Sequence, residues 1–126
     1  MKKIPEISES EHQVMKVIWN KNPITAVEIT KKLSKKTDWK FNTIKTFLNR
    51  LLKKKAIGYD KSGKEFNYYP LMEEADFVKA ESKIFLKRVF GGMVKPMLVA
   101  MADEEDLTLE DIEELRRHIK SKKQEK

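Results

Sequence analysis

The sequence predicts a mainly α-helical fold with one small β-hairpin. Apolar residues recur at helical spacing in several segments, most clearly between Lys40 and Lys55. A single stretch, from Ile57 to Pro70, instead alternates apolar and polar residues around a glycine, as the two strands of a hairpin do. Three more helical segments follow this stretch. The predicted order is therefore three helices, a hairpin and three further helices.

The first two helices are predicted by their capping residues. Ser8 followed by Glu11 fits a capping box, in which each side chain accepts a hydrogen bond from the other residue's backbone amide. This helix ends before Pro23, because a proline keeps the preceding residue out of the α region. Thr25 and Glu28 form a second capping box, which starts a short second helix.

The third helix has one apolar stripe and one polar face without acids. The stripe predicts contact with a core and consists of Ile44, Phe47, Leu48, Leu51 and Leu52. The opposite face carries Asn42, Thr46, Asn49, Arg50 and Lys53, with Thr43 and Lys45 on its flanks. Amides, hydroxyls and cations are the groups that contact phosphates and read base edges in a DNA major groove. A solvated surface helix is the alternative, but the absence of acids favours DNA binding.

The next segment predicts a hairpin with its turn over residues 60–64. Apolar residues alternate with polar ones on both sides of this turn, at Ile57, Tyr59, Phe66 and Tyr68. Three helices followed by a two-stranded hairpin form the winged helix-turn-helix arrangement. Lys61 and Lys64 lie near the hairpin tip, where they would contact phosphates beside the groove.

Charge is divided unevenly along the chain. The 126 residues carry a formal net charge of +7. Residues 1–72 hold 16 Lys and Arg against 7 Asp and Glu, a net +9, whereas residues 73–126 hold 11 against 13, a net −2. A basic region of this kind predicts an anionic partner, which is nucleic acid or, less often, a membrane surface. The change of charge near residue 72 marks a domain boundary. We predict a winged helix-turn-helix DNA-binding domain at 1–72 and, for the reason given next, a helical dimerisation region at 73–126.

Three helices are predicted after Glu73: one up to Gly91, a second over 94–102 and a third with Thr108 as its N-cap. Roughly 50 residues are too few to bury their apolar surface alone. The helices must pack on the winged domain or against a second chain, and we favour a homodimer because the winged domain leaves little core uncovered. The predicted interface residues are Phe77, Ile84, Phe85, Val89, Met97, Leu98, Ile112, Leu115 and Ile119.

Several function classes are excluded by what the sequence lacks. It contains no cysteine, which excludes disulfides, thiolate metal sites and cysteine nucleophiles. No apolar run approaches the roughly 18 residues of a membrane span, and the N-terminus lacks the apolar core of a secretory signal, so we expect a cytoplasmic chain without membrane insertion. His12 and His118 are isolated from other ligands and are expected at the surface. We predict no enzyme, no cofactor and no metal.

Taken in order, several motifs resemble the penicillinase-repressor family, the BlaI/MecI-type regulators of bacterial β-lactam resistance. The resemblance is carried by EIS at 6–8, Glu11, Val14-Met15, Ile18-Trp19, Asp38-Trp39, Thr43-Ile44, Thr46, Asn49-Arg50-Leu51, Lys53-Lys54, Tyr68-Tyr69, Gly91-Gly92 and IEELR at 112–116. It implies a dimeric winged-helix repressor on a palindromic operator in double-stranded DNA. It further implies that recognition-helix contacts fall on Asn42, Thr43, Lys45 and Thr46.

The chain departs from this family's pattern at three places. Many members open the third helix with Ser-Pro, where this chain has Lys40-Phe41, and Lys55 stands where a helix-ending glycine is common. Some members are cleaved at an Asn-Phe pair when a membrane sensor detects a β-lactam, and the aligned pair here is Ala100-Met101. The resemblance implies release by proteolysis in this region, through a membrane-sensor-linked protease, or by another protein signal. The alternatives are a winged-helix protein-interaction module and a nonspecific DNA-binding protein.

Overall fold

The computed structural model describes residues 4–124. The first three residues, which entered the expectation about a secretory signal, and the last two lie outside this range. The chain forms two compact units, Met1–Ala80 and Glu81–Lys126. The elements are α1 (Glu9–Asn20), α2 (Ala26–Leu33), α3 (Phe41–Lys53), β1 (Ile57–Ser62), β2 (Glu65–Pro70), α4 (Glu74–Phe90), α5 (Val94–Asp103) and α6 (Leu109–Gln124). The predicted class, mainly helical with one hairpin, is confirmed.

Both predicted capping boxes form. The Ser8 hydroxyl accepts from the Glu11 amide at 3.1 Å, and the Glu11 carboxylate accepts from the Ser8 amide at 2.9 Å. The Thr25 hydroxyl accepts from the Glu28 amide at 3.2 Å, and the Glu28 carboxylate accepts from the Thr25 amide at 3.3 Å. These bonds satisfy amides that helix starts otherwise leave without partners, so α1 and α2 begin where the sequence predicts.

The core of the first unit lies between α1, α2 and α3 and is covered by the hairpin. The predicted stripe of α3 faces this core: Ile44, Leu48 and Leu51 are fully buried, and Phe47 and Leu52 pack half-buried against it. The remaining large buried side chains come mainly from the first two helices and the hairpin. They are Val14, Met15, Ile18, Ile24, Ile29, Leu33, Ile57, Tyr68 and Met72. Burial of the stripe orients the opposite, polar face of α3 toward solvent.

The hairpin is longer than predicted. β1 and β2 pair antiparallel from Ile57 opposite Pro70 to Ser62 opposite Glu65, so only residues 63–64 form the turn. The prediction of a turn over 60–64 was too wide, because polar side chains do not interrupt backbone pairing on an exposed ribbon. Gly63 takes φ 65° at the first turn position, which glycine adopts without strain.

A single-residue bridge joins the hairpin to the segment between α1 and α2. Ile24 donates to the Tyr68 carbonyl at 3.0 Å, and Tyr68 donates to the Ile24 carbonyl at 2.8 Å. One paired residue leaves no alternating pattern, so the sequence did not predict it. The bridge fixes β2 against the helices and thereby fixes the wing.

The first turn of α4 belongs to the core of the first unit. Phe77 is 4% exposed, and its ring centroid lies 4.8 Å from that of His12 and 5.6 Å from that of Trp19. The Trp19 indole donates to the Met72 carbonyl at 2.9 Å, which holds the chain entering α4 against α1. Phe77, which was predicted as a dimer-interface residue, is thus buried within the first unit, where its ring covers the aromatic side of α1. His12 is half-buried in the same cluster and is not the surface histidine that we expected.

The second unit exposes most of its apolar side chains. None of residues 78–123 is fully buried. Thr108 caps α6 as predicted, since its hydroxyl accepts from the Asp111 amide at 3.1 Å and its amide donates to the Asp111 carboxylate at 3.0 Å. Among the helices of residues 4–124, none has both the length and the apolar composition of a membrane span.

Candidate nucleic-acid interface

The polar face of α3 is open to solvent. The structure brings five predicted DNA-binding residues together on this exposed face: Asn42, Thr46, Asn49, Arg50 and Lys53. Thr43 and Lys45, on the two flanks, are half-buried. The Thr46 hydroxyl donates to the Asn42 carbonyl at 3.1 Å, which leaves its oxygen free to accept. The face therefore offers amide donors and acceptors along its middle and two cations toward its C-terminal end.

The N-terminus of α3 lacks a side-chain cap. Lys40 occupies the N-cap position and makes no capping hydrogen bond, and Phe41 opens the helix with 43% of its surface exposed. First-turn amides without partners are donors that favour an anion. Helix-turn-helix proteins contact base edges with the N-terminal residues of this helix. The uncapped end is thus chemically suited to approach DNA.

An ion pair fixes the C-terminal end of α3 to α1. The Lys54 ammonium lies 2.5 Å from the Glu11 carboxylate, which is 2% exposed. Burial raises the pKa of the Glu11 carboxyl, but hydrogen bonds from Lys54 and Ser8 and the charges of Lys54 and Arg50 outweigh burial, so the pKa lies below its ordinary value. Lys54 is therefore neutralised within the protein, whereas its neighbour Lys53 remains on the exposed face.

Sequence reasoning missed this pair although a signal was present. Glu11 lies three, four and seven residues before Val14, Met15 and Ile18, which places it on the buried stripe of α1. A buried carboxylate requires a partner cation. Only its role as a capping residue was predicted.

The helix end itself adopts the geometry that glycine normally supplies. Lys55 has φ 62°. Its amide donates to the Leu52 carbonyl at 3.0 Å, and the Ala56 amide donates to the Leu51 carbonyl at 3.0 Å, which is the hydrogen-bond pattern of a Schellman motif. Lys55 therefore takes, at the helix end, the left-handed conformation that glycine adopts without strain.

A group of aromatic residues and lysines joins α3 to the hairpin, and we call it the wing cluster. It consists of Lys45, Tyr59, Lys61, Phe66 and Tyr68. The Lys45 ammonium donates to the Tyr68 hydroxyl at 3.3 Å and lies 5.4 Å from the Phe66 ring centroid. The Lys61 ammonium lies 5.9 Å from the same ring, and Tyr59 stacks on it with centroids 4.3 Å apart. Lys45 and Lys61 were predicted as DNA-binding residues. The sequence did not predict that aromatic side chains of the hairpin hold their ammonium groups.

The residues predicted for the interface between chains and for cleavage lie in the second unit, apart from Phe77. Ile84, Phe85, Val89, Ile112, Leu115 and Ile119 are exposed, and Met97 and Leu98 are half-buried. Ala100 and Met101 are exposed residues within α5. A peptide bond inside a helix must be unwound locally before a protease accepts it in extended form.

Comparisons with known proteins agree with this geometry. The family described as penicillinase repressor matches residues 7–121. A penicillinase repressor from Bacillus licheniformis is 42% identical over 115 residues, which cover 91% of this chain and 90% of that protein. A methicillin resistance regulatory protein MecI from Staphylococcus aureus (strain N315) is 38% identical over 117 residues, covering 93% and 95%.

Two solved structures match the first part of the fold. One is the solution structure of the DNA-binding domain of the repressor BlaI, with 49% identity and a TM-score of 0.54 over 60% of this chain and 93% of that one. The other, with 49% identity, a TM-score of 0.52 and the same coverage, is the monomeric form of Bacillus licheniformis BlaI in complex with the blaP half-operator. Together with the family match over residues 7–121, these relatives establish that the chain belongs to the penicillinase repressor family.

Proposed function

We propose that this chain is a homodimeric transcriptional repressor that binds a palindromic operator in double-stranded DNA and represses an operon of the β-lactamase or antibiotic-resistance type. The observation that carries the proposal is the exposed, acid-free face of α3 beside a wing that holds Lys61 on the side facing α3. Relatives named as repressors support it, as does the BlaI structure in complex with a half-operator.

The residues of α3 and the wing make two kinds of DNA contact, to bases and to phosphates, according to their chemistry. Asn42 and Asn49 carry amides that pair with adenine, and Thr43 and Thr46 offer hydroxyl or methyl contacts to bases. Arg50, Lys53, Lys61 and Lys64 contact phosphates, which supply affinity without sequence preference. Lys45 lies on the flank that faces the wing and belongs to the same interface.

The homodimer is proposed because the second unit leaves its apolar side chains uncovered. On α6, Ile112, Leu115 and Ile119 follow helical spacing and are 40%, 44% and 54% exposed. On α4, Ile84 and Val89 are 43% and 52% exposed. A second copy offers the same surface, so a two-fold axis covers both sets at once and presents two α3 helices to the two halves of a palindrome.

Release from the operator is proposed to follow cleavage near Ala100-Met101 by a membrane-sensor-linked protease, or a signal from another protein. A cut within α5 separates α6 from the rest of the chain and removes its share of the dimer surface. Operator binding then loses the second DNA-binding domain. Incubating the full chain with membranes from induced cells, followed by mass spectrometry of the fragments, locates the cut, and an intact chain that loses operator binding would favour the other signal.

Fluorescence anisotropy tests the proposal. A short duplex from the promoter upstream of the chain's own gene is titrated against a scrambled duplex at two salt concentrations. We expect tighter binding to the promoter duplex that persists at the higher salt. Equal binding to both duplexes, lost together as salt rises, indicates a nonspecific DNA-binding protein, and no binding to either leaves a protein-interaction module.

A further inference from the structure

Two lysines from different elements converge on one aromatic ring in the wing cluster. Lys45 comes from α3 and Lys61 from β1, and their ammonium groups lie 5.4 and 5.9 Å from the Phe66 centroid. Both distances are within the range of a cation–π contact. The ring is held by stacking with Tyr59 at an interplanar angle of 13°, and Lys45 is also held by the Tyr68 hydroxyl. The two lysines are therefore positioned by their contacts with the wing.

The charges of the hairpin are sorted by face. Successive residues of a strand point to opposite sides, and the register places Lys61 opposite Phe66, and Tyr59 opposite Tyr68, on one face. That face contacts α3 through Lys45. The two acids of the hairpin, Asp60 and Glu65, fall on the other face, opposite Asn67 and Ser62. The side of the wing turned toward α3 thus carries positive charge without a neighbouring hairpin carboxylate.

Two ammonium groups beside one ring, with no hairpin acid on that face, form a positive site that attracts an anion between helix and wing. The backbone of a DNA strand lying between a recognition helix and its wing supplies such anions. We propose that Phe66 is a positioning residue that holds Lys45 and Lys61 as a single clamp for DNA phosphates. This inference rests on the proposed DNA-binding function, and it assigns Lys45 to the backbone and not to the base edges.

The salt dependence of binding tests the clamp, because it reports the number of phosphates neutralised. Anisotropy titrations of the full chain use the scrambled duplex between about 50 and 200 mM salt, where each phosphate contact contributes about 0.9 to the slope of log K against log salt. Lys45→Met and Lys61→Met are each expected to reduce the slope by about that amount. Phe66→Leu removes no charge, yet it is expected to reduce the slope by between one and two such contacts. Phe66→Tyr keeps the ring and is expected to retain the wild-type slope.

Two controls separate positioning from folding and from general charge. Lys16→Met removes an exposed charge from the groove between α1 and α2, away from the wing cluster, and is expected to leave the slope unchanged. Thermal unfolding by circular dichroism establishes that each variant is folded. If Phe66→Leu does not fold, Phe66→Met is the second variant without the ring, and a wild-type slope in a folded variant that lacks the ring refutes the clamp.

The outcomes also distinguish failure of the clamp from failure of the proposed function. If Phe66→Leu weakens binding at an unchanged slope, its role is only structural and the clamp is refuted. If Lys45→Met lowers the preference for the promoter duplex but leaves the slope unchanged, Lys45 reads bases and the clamp is also refuted. If the wild-type chain itself shows no salt-dependent binding, the DNA-binding function fails, and the clamp fails with it.

Discussion

Removing the Lys54 ammonium should destabilise the protein because it leaves the Glu11 carboxylate buried without its cation. Glu11 is 2% exposed, and Lys54, at the C-cap of α3, donates to it at 2.5 Å. Breaking a buried ion pair by removing one partner costs about 3–5 kcal/mol. The Ser8 amide continues to donate to the carboxylate, and Lys54 is 36% exposed in the wild type, so the lower end applies. We expect Lys54→Met to lower the free energy of unfolding by about 3 kcal/mol.

Urea denaturation at pH 7 measures this loss, and the neighbouring lysine provides the matched control. Lys53 is exposed on the opposite face, so Lys53→Met should change stability by no more than about 0.5 kcal/mol. Glu11→Gln added to Lys54→Met removes the unpaired charge and should recover part of the loss. A change of less than about 0.5 kcal/mol in Lys54→Met would refute the reasoning.

The pH dependence of the same pair has a defined sign. The pKa of Glu11 in the folded protein lies below the ordinary carboxyl value of 4.5, so the pair's contribution to stability is present above that value and is lost as pH falls through the folded-state pKa. The difference in unfolding free energy between wild type and Lys54→Met should therefore shrink below about pH 4.5. A difference that stays constant down to pH 3 would contradict the assignment.

Three further predictions concern the end of α3, its reading face and the second unit. Lys55→Gly should raise the free energy of unfolding by about 1 kcal/mol, because φ 62° strains a residue with a side chain but not glycine. Thermal unfolding measures this gain, and a lower melting temperature would contradict the helix-end geometry. Asn42→Ala should weaken promoter binding by about 1–3 kcal/mol while binding to the scrambled duplex changes little, and equal losses on both duplexes would remove Asn42 from the base-reading set. Leu115→Glu should shift the chain from dimer to monomer in sedimentation equilibrium, with Lys122→Glu as an exposed control on the same helix; a dimer that persists would exclude this face of α6 as the interface.

Local features of the chain were predictable from sequence, whereas contacts between distant residues were not. The caps at Ser8 and Thr25 and the buried stripe of α3 depend on neighbours within one or two helical turns, so spacing alone predicts them. The Ile24–Tyr68 bridge joins residues far apart in sequence through backbone atoms, which carry no residue-specific signal. Phe77 was assigned to the interface because an apolar residue on a helix does not indicate which surface will bury it.

In the candidate site, too, the sequence predicts which chemical groups are present but not which distant residues they contact. Exposed amides and cations on α3 were predicted because the apolar stripe determines the opposite face. Lys45 and Lys54 were both visible as basic residues of the third helix, but only the structure shows that one contacts the wing and the other pairs with a buried acid. A lysine's sequence position gives its charge, while its partner determines whether that charge is available to DNA.

Lys45 and Lys54 also determine which part of α3 can accept substitutions without disturbing the rest of the helix. Lys54 fixes the C-terminal end to α1 through Glu11, and Lys45 fixes the flank to the wing through Tyr68. No side chain caps the N-terminal end, which begins with Lys40-Phe41, and Phe41 is 43% exposed. Helix-turn-helix proteins read bases from this end, so substitutions there alter the contacts with bases and leave the anchored part of the helix in place. Differences in operator preference between this chain and its relatives should therefore arise mainly in the first turn of α3.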